Sequence, residues 1–304
     1  SAQESYGLNE TEAKTHHVMG WLLGHSANLD EQLEAHFLSS LLLENSGSPL
    51  RLALETTDLA TAPSPLCGLE DSNKEMCFVC GVEGSEIESK EDVEKLILST
   101  LEKVASDGVT QDQIDSVLHQ LELSQREVGG DGYPFGLQII LSAISACTHY
   151  SDPVELLNLD PALDRLREKS KSDSFVGELI NKYLLNNTHR VTLTFAPDTE
   201  LDQRKNTAEQ DKLTQIFKSL SDLEIEDIVT QGVALKERQM QKDDESLLPK
   251  VTLDDVAGQL NIPRATDSSL NNGESVASFE QGTNGLSYHQ VLLPLPQLTE
   301  SESL

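Results

Sequence analysis

Residues 110–153 read TQDQIDSVLHQLELSQREVGGDGYPFGLQIILSAISACTHYSDP, a helix, a glycine loop and a second helix in one run. Thr110 and Gln113 have the spacing of a capping box, in which each side chain satisfies a backbone N–H of the other. Behind them Ile114, Val117, Leu118 and Leu121 recur at helical spacing, so one stripe of this helix is predicted to be buried. The run Gly129-Gly130-Asp131-Gly132-Tyr133-Pro134 cannot continue it, because glycine raises the entropy cost of a helix and proline removes a donor. Residues 137–147, LQIILSAISAC, are apolar nearly all round, the pattern of a helix covered on most sides. This second helix is therefore expected in the core.

Toward the N-terminus, residues 1–8 are polar and read as loose, and residues 14–24 (KTHHVMGWLLG) read as a buried strand. Residues 30–43 place Leu33, Phe37 and Leu41 at helical spacing and end at Asn45-Ser46-Gly47, after which Ser48-Pro49 starts a short helix. A loop at 61–64 leads to a strand at 75–84. Ser89 and Asp92 then open a long helix with Val93, Leu96, Ile97, Leu101 and Val104 on one face, ended by Asp107-Gly108.

Toward the C-terminus come helices at 161–171 and 174–185 and an alternating strand at 189–196, whose Val191, Leu193 and Phe195 point one way. The order predicts an α/β (α+β) layer in which helices pack on a mainly antiparallel sheet. Past Pro197, two amphipathic helices at 201–220 and 222–241 meet at Ser221, whose hydroxyl can cap the second, and make a helical hairpin. After Pro249 the chain is rich in Asn, Ser, Gly and Thr and reads as linker. Residues 285–293, GLSYHQVLL, read as a strand with nothing to cover it, as in a truncated chain.

Composition narrows the function classes. With 304 residues, 37% of them hydrophobic, the chain can bury one domain and a smaller piece. The formal charge of −30, from 52 acidic and 22 basic residues, excludes nucleic acid and anionic membrane as partners, since phosphate binding needs a cationic face. Basic peptides would be attracted, and the same charge also serves solubility. No apolar run approaches the roughly 20 residues that span a bilayer, and there is no signal-peptide pattern, so the chain reads as soluble.

Two motifs bear on chemistry. His119-Gln-Leu-Glu122-Leu123 is one residue short of the inverted zinc-peptidase pattern His-x-x-Glu-His. Zinc catalysis needs about three protein ligands, and Leu123 cannot be one, so His119 and Glu122 are expected to be an exposed polar pair. His16 and His17 are adjacent on a strand and face opposite ways, so they cannot chelate one ion together. Of the four cysteines, Cys77 and Cys80 share a Cys-x-x-Cys spacing inside a strand; with Cys67, and with Cys147 in the core of its helix, they read as reduced apolar side chains. A reducing compartment follows.

A resemblance joins these pieces. THHVMGWLLG, LEAHFLSSLLLENSGSPLRLALE, FGLQIILSAISACTHYSDPVELL, HRVTLTFAPD and LLPKVTLDDV, in that order, resemble the presequence-protease branch of the insulinase-type (pitrilysin) zinc peptidases. The most specific pieces are the Ser46-Gly47-Ser48-Pro49 turn, the Phe135-Gly136 helix start and the run Asp152-Pro153-Val154-Glu155-Leu156.

The resemblance implies a metallopeptidase-like roll: residues 1–197 as a non-catalytic domain, 198–250 as a hairpin linker, and 251–304 as a loop-rich linker and the start of a further domain. It implies zinc in the parent protein and none in this segment, so no catalytic, cofactor-binding or metal residue is expected here. Implied partners are the remainder of the parent chain, with its metal-bearing first domain and C-terminal half, and peptide substrates, basic ones among them. The implied compartment is a bacterial cytoplasm or a mitochondrial or other organelle matrix, and the implied role is chamber wall and hinge. Two other readings stand beside it: a free-standing scaffold or binding protein of the same fold, and a hydrolase using His119 and Glu122 with His16 or His17.

Overall fold

The computed structural model describes residues 2–5, 11–128, 134–256, 258–259 and 262–294. The chain divides into two compact units, Ser1–Leu201 with Thr283–Leu304, and Asp202–Gly282.

The first unit runs β1 (Ala2–Ser5), β2 (Thr15–His25), α1 (Leu29–Leu43), α2 (Pro49–Glu55), β3 (Ala62–Pro63), β4 (Gly68–Glu70), β5 (Glu75–Ser85), α3 (Lys90–Asp107), α4 (Gln111–Arg126), α5 (Phe135–Thr148), α6 (Leu159–Ser170), α7 (Phe175–Ile180) and β6 (Arg190–Asp198). Its sheet has the order β1-β6-β2-β5-β3, with β4 also on β5. Every pairing is antiparallel except that of β1 with β6. The expected mainly antiparallel sheet under helices is therefore what the chain forms.

Alternation along the long central strands decides where the core lies. Met19 and Trp21 of β2 stand opposite Cys80 and Phe78 of β5, and these four are at most 1% exposed. Trp21 and Phe78 meet with ring centroids 6.0 Å apart. Over this face lie α1, with Leu33, Phe37, Leu38 and Leu42 buried, and α3, with Val93, Ile97, Leu101 and Val104 buried. Gly81 permits the close approach of β2 and β5: a Cβ there would lie 2.2 Å from the His17 carbonyl oxygen. Local signals place the ends of α3 and α4. Gly108 caps α3 at φ 71, and Thr110 with Gln113 forms the predicted capping box of α4.

Four expectations for this unit need correction. Residues 2–5 are not loose; they add β1 to the β6 edge. The 61–64 loop contains β3, paired with Glu83 and Val82, and β4 follows it. α5 is a helix as expected, but it is not core: Ala143 and Ala146 pack inward, while Ile140, Leu141 and Ile144 are 59%, 50% and 50% exposed. Cys147 is likewise exposed rather than buried. The apolar perimeter of α5 predicts cover on most sides, yet its buried residues are the small Ala143 and Ala146. The glycine loop at 129–133 lies outside the described residues.

Beyond α7 the helix widens into a π turn over Asn181–Leu185. Its released carbonyls find partners. Asn187 Nδ2 donates to Tyr183 O at 2.9 Å and to Leu22 O at 2.8 Å, and Trp21 Nε1 donates to Leu184 O at 2.9 Å.

The second unit holds most of α8 (Leu201–Ser219), then α9 (Asp222–Met240) and a small hairpin of β7 (Thr266–Ser269) and β8 (Ser275–Ser278). Ser221 and Glu224 form the capping box that starts α9. Neither long helix buries a residue. The stretch read as linker thus contains the β7–β8 hairpin, while residues 285–293 form no strand.

Within the first unit Glu34 of α1 is 5% exposed and accepts from Lys169 Nζ at 2.7 Å, Lys182 Nζ at 3.0 Å and Tyr183 Oη at 2.7 Å. Burial works to raise its carboxyl, but the hydrogen bonds from Lys169, Tyr183 and Lys182 outweigh burial and hold it below the ordinary carboxylate value. A lowered carboxyl stabilises the fold above its ordinary value, about 4.3, and that contribution is lost as pH falls through the lowered value. Glu34→Gln should therefore cost about 2 kcal/mol at pH 7, roughly 4 to 8 °C in melting temperature. The gap between variant and wild type should narrow progressively as pH falls below the ordinary carboxylate value of about 4.3. Thermal melts across that pH range decide it; a gap independent of pH would remove the ionised Glu34 from the account.

Candidate functional site

The near-motif His119-x-x-Glu122 lies on α4, and the residues around it decide what it can do. His119 is exposed and Leu123 is 45% exposed. Glu122 takes Arg126 Nε on Oε1 at 2.8 Å and Arg167 of α6 on Oε2. Arg126 also pairs with Asp160, and Arg167 Nη1 lies 3.5 Å from Asp164 Oδ1. Burial raises the Glu122 carboxyl and the two guanidinium groups more than offset it, leaving its value lowered. A general base near neutral pH needs the opposite shift and a free lone pair directed at water. Glu122 has the reverse shift and both its oxygens engaged by arginines; it ties α4 to α6.

His16 and His17 are not brought to this site. His17 is 1% exposed on the core face of β2, with Nδ1 3.2 Å from Thr194 Oγ1 and Nε2 2.8 Å from the Glu86 carbonyl oxygen. His16 turns to the other face, paired across the sheet with Phe195. Among the described residues no group of three or more His, Cys, Asp or Glu side chains could hold a metal ion. The residues present do not fit zinc: position 123 is Leu, and Glu122 is engaged by two arginines. Of this cluster, the Glu122–Arg126 pair is legible in the sequence as an i,i+4 contact, whereas Arg167 is 45 positions away and carries no local signal.

Two apolar surfaces are open instead. On α5 the outward residues Leu137, Ile140, Leu141 and Ile144 follow helical spacing and make one stripe. In the second unit, Leu213, Ile216 and Phe217 of α8, with Leu220 just beyond its end, line with Ile225, Ile228 and Val229 of α9 a groove of about 510 Å³. Scattered apolar residues are normal on a surface, but contiguous stripes of this kind mark interaction sites. No helix among the described residues is long and apolar enough to cross a membrane.

The ion network makes Glu122 and His119 separable by experiment. Glu122→Ala should lower the melting temperature by a few degrees, on the order of 1 to 2 kcal/mol, because two arginines lose their shared carboxylate. His119→Ala should stay within about 0.5 kcal/mol of wild type. Neither protein should take up stoichiometric zinc by metal analysis; one zinc per chain, lost in His119→Ala, would overturn the assignment.

Comparison with known proteins agrees with this geometry. Residues 2–121 match the family model described as the peptidase M16 inactive domain, and residues 195–304 match that of the region associated with M16 peptidases of subfamily C. Mitochondrial presequence protease of Mus musculus is 30% identical over 293 residues, 96% of this chain and 28% of that protein. The Xenopus tropicalis protein of the same description is 29% identical over 96% of this chain and 28% of its own length. Presequence protease 1, chloroplastic/mitochondrial, of Arabidopsis thaliana is 29% identical over 92% of this chain and 26% of its own length. The chain thus spans a little over a quarter of the length of the relatives it matches. Among solved structures, the inactive peptidase domain of a Bordetella parapertussis protein described as a zinc protease superposes with a TM-score of 0.50 at 14% identity, over 64% of this chain and 98% of that one. That likeness shows the fold. The chain belongs to the insulinase-type, M16 peptidase family, of which it carries the inactive domain and the associated region of subfamily C.

Proposed function

We propose that this chain is a non-catalytic segment of a zinc-dependent metalloendopeptidase that degrades peptides, and that it forms part of the wall of a peptide chamber. In this reading residues 1–197 are the inactive domain, 198–250 a hairpin that serves as hinge, and 251–304 a linker into further domains. The zinc belongs to residues outside this chain, and no residue here is catalytic, cofactor-binding or metal-binding. The observation that carries the reading is the direction of α5: its largest apolar residues face away from the unit's own core, as on a surface made to be covered. The open groove between α8 and α9 supports a hairpin that works against something other than itself. The free cysteines suit a reducing compartment, an organelle matrix or a bacterial cytoplasm, and the relatives carry mitochondrial and chloroplastic descriptions.

The charge of −30 supports basic peptides as what the chamber draws in. This chain should then bind an arginine-rich amphipathic peptide weakly and lose most of that binding between 0.1 and 1 M salt, as the Debye length falls from about 10 to about 3 Å. An acidic peptide of equal length should not bind. Fluorescence anisotropy with both peptides across that salt range tests it. Equal binding, or indifference to salt, would leave the charge as a solubility feature and withdraw the basic-peptide reading.

A further inference from the structure

Between β3 and β4 the edge of the sheet is interrupted. Pro63 pairs with Val82 and Ser64 N donates to Gly81 O at 2.9 Å; the ladder resumes only with Gly68 opposite Val79. The chain between closes a turn, Cys67 N donating to Ser64 O at 3.1 Å, and the Cys67 side chain folds back onto β5. There its Sγ accepts from Gly81 N at 3.3 Å and donates to Gly81 O at 3.4 Å, an oxygen that also accepts from Ser64 N.

This puts Cys67 beside Cys80. The paired register Glu70–Cys77, Leu69–Phe78, Gly68–Val79 ends at Gly68; carried one residue further it would set Cys67 opposite Cys80, next to the Gly81 that its sulfur contacts. Residues opposite one another in an antiparallel pair have Cα atoms about 4.5 to 5.5 Å apart, inside the roughly 4.4 to 6.8 Å that a disulfide spans. The sulfur position agrees. In a trans peptide the N–H of one residue lies on the same side as the preceding Cα, so a sulfur on Gly81 N sits roughly 4 Å from Cys80 Cα. Cys67 packs on the rim of the core, and Cys80 is fully buried within it. The other two cysteines are excluded as partners. Cys77 is an odd number of residues from Cys80 on one strand and faces the opposite side of the sheet, and Cys147 is exposed on α5.

We propose that Cys67 and Cys80 form a redox-modification site, a thiol pair that closes into a cross-strand disulfide and staples the β3–β4 arm onto β5. The oxidant is a small disulfide such as oxidised glutathione. The Cys67 thiolate attacks one of its sulfurs, forming a mixed disulfide and releasing one glutathione. The Cys80 thiolate then attacks the Cys67 sulfur and releases the second. The cysteine pair loses two protons and two electrons, and the oxidant becomes two glutathione thiols. Burial pushes both thiols up, so thiolate is scarce and the exchange is slow, paced by opening of the arm.

The staple would fix more than one strand pair. Directly after β4, Asp71 accepts from His36 Nε2 at 2.9 Å and Gln32 Nε2 at 3.4 Å, both on α1. Closing the disulfide therefore also holds the clamp between the sheet edge and α1.

The test incubates the whole chain with oxidised glutathione, blocks the remaining thiols with an alkylating agent, and maps a non-reducing digest by mass spectrometry. The expected product is a peptide pair linked through Cys67 and Cys80, with Cys77 and Cys147 alkylated. Oxidation should raise the melting temperature by about 5 to 10 °C, the size expected for closing a loop of roughly 15 residues, and dithiothreitol should reverse it. Cys67→Ser should abolish both the linked pair and the rise, whereas Cys147→Ser should keep both. The digest of the wild type does not depend on how any variant folds. A folded wild type that stops at glutathionylated Cys67, links other cysteines or stays fully reduced would overturn the proposal. So would a linked pair that leaves the melting temperature unchanged.

Discussion

The carboxylate of Glu34 sets a condition that the rest of the first unit meets. A buried charge without partners is unfavourable by several kcal/mol, so α1 can hold Glu34 in its buried face only if cations and donors arrive from elsewhere. They come from α6 through Lys169 and from the π turn through Lys182 and Tyr183. Lys182 also lies 4.3 Å over the Tyr183 ring. These contacts fix how two later helical elements lie against α1, and the Phe37–Phe175 pair, with centroids 5.2 Å apart, packs in the same layer. Packing of apolar residues supplies most of the stability, but it is non-directional, whereas the three groups around Glu34 admit few arrangements.

The same economy of polar groups accounts for the silence of the near-motif. Glu122 serves as the shared anion of Arg126 and Arg167, as Glu34 does for its two lysines. In both places a carboxylate that could have been a base is used to join helices. The chain's acidity is thus of two kinds: a few engaged carboxylates inside, and a large excess on the surface that sets its long-range field.

How much of this could be read from the sequence follows from how local each signal is. The capping box at Thr110, the serine cap at Ser221 and the stripe of α3 lie within one or two turns of chain, and they appear where the spacing puts them. β2 and β5 are long apolar strands and stand out for the same reason. β1, β3 and β4 are two to four residues long and exist only because a longer strand is there to pair with. The α5 error is of another sort. An all-apolar helix states that its surface must be covered, and it does not say by which part of a polypeptide. Likewise Glu122 and Arg126 are four apart and visible as a pair, while the Arg167 that completes the lock is set by tertiary packing alone.

The π turn at Asn181–Leu185 makes the first unit intolerant of length change at one place. Removing a residue there would turn everything after it by about 100°, one residue's share of a helical turn. Asn187 would leave Leu22 O, and the strand that follows would enter one position early. Because side chains alternate along a strand, that slip would carry Val191, Leu193 and Phe195 to the side where Thr192 and Thr194 now lie. Within the turn, the count of residues is itself a structural element.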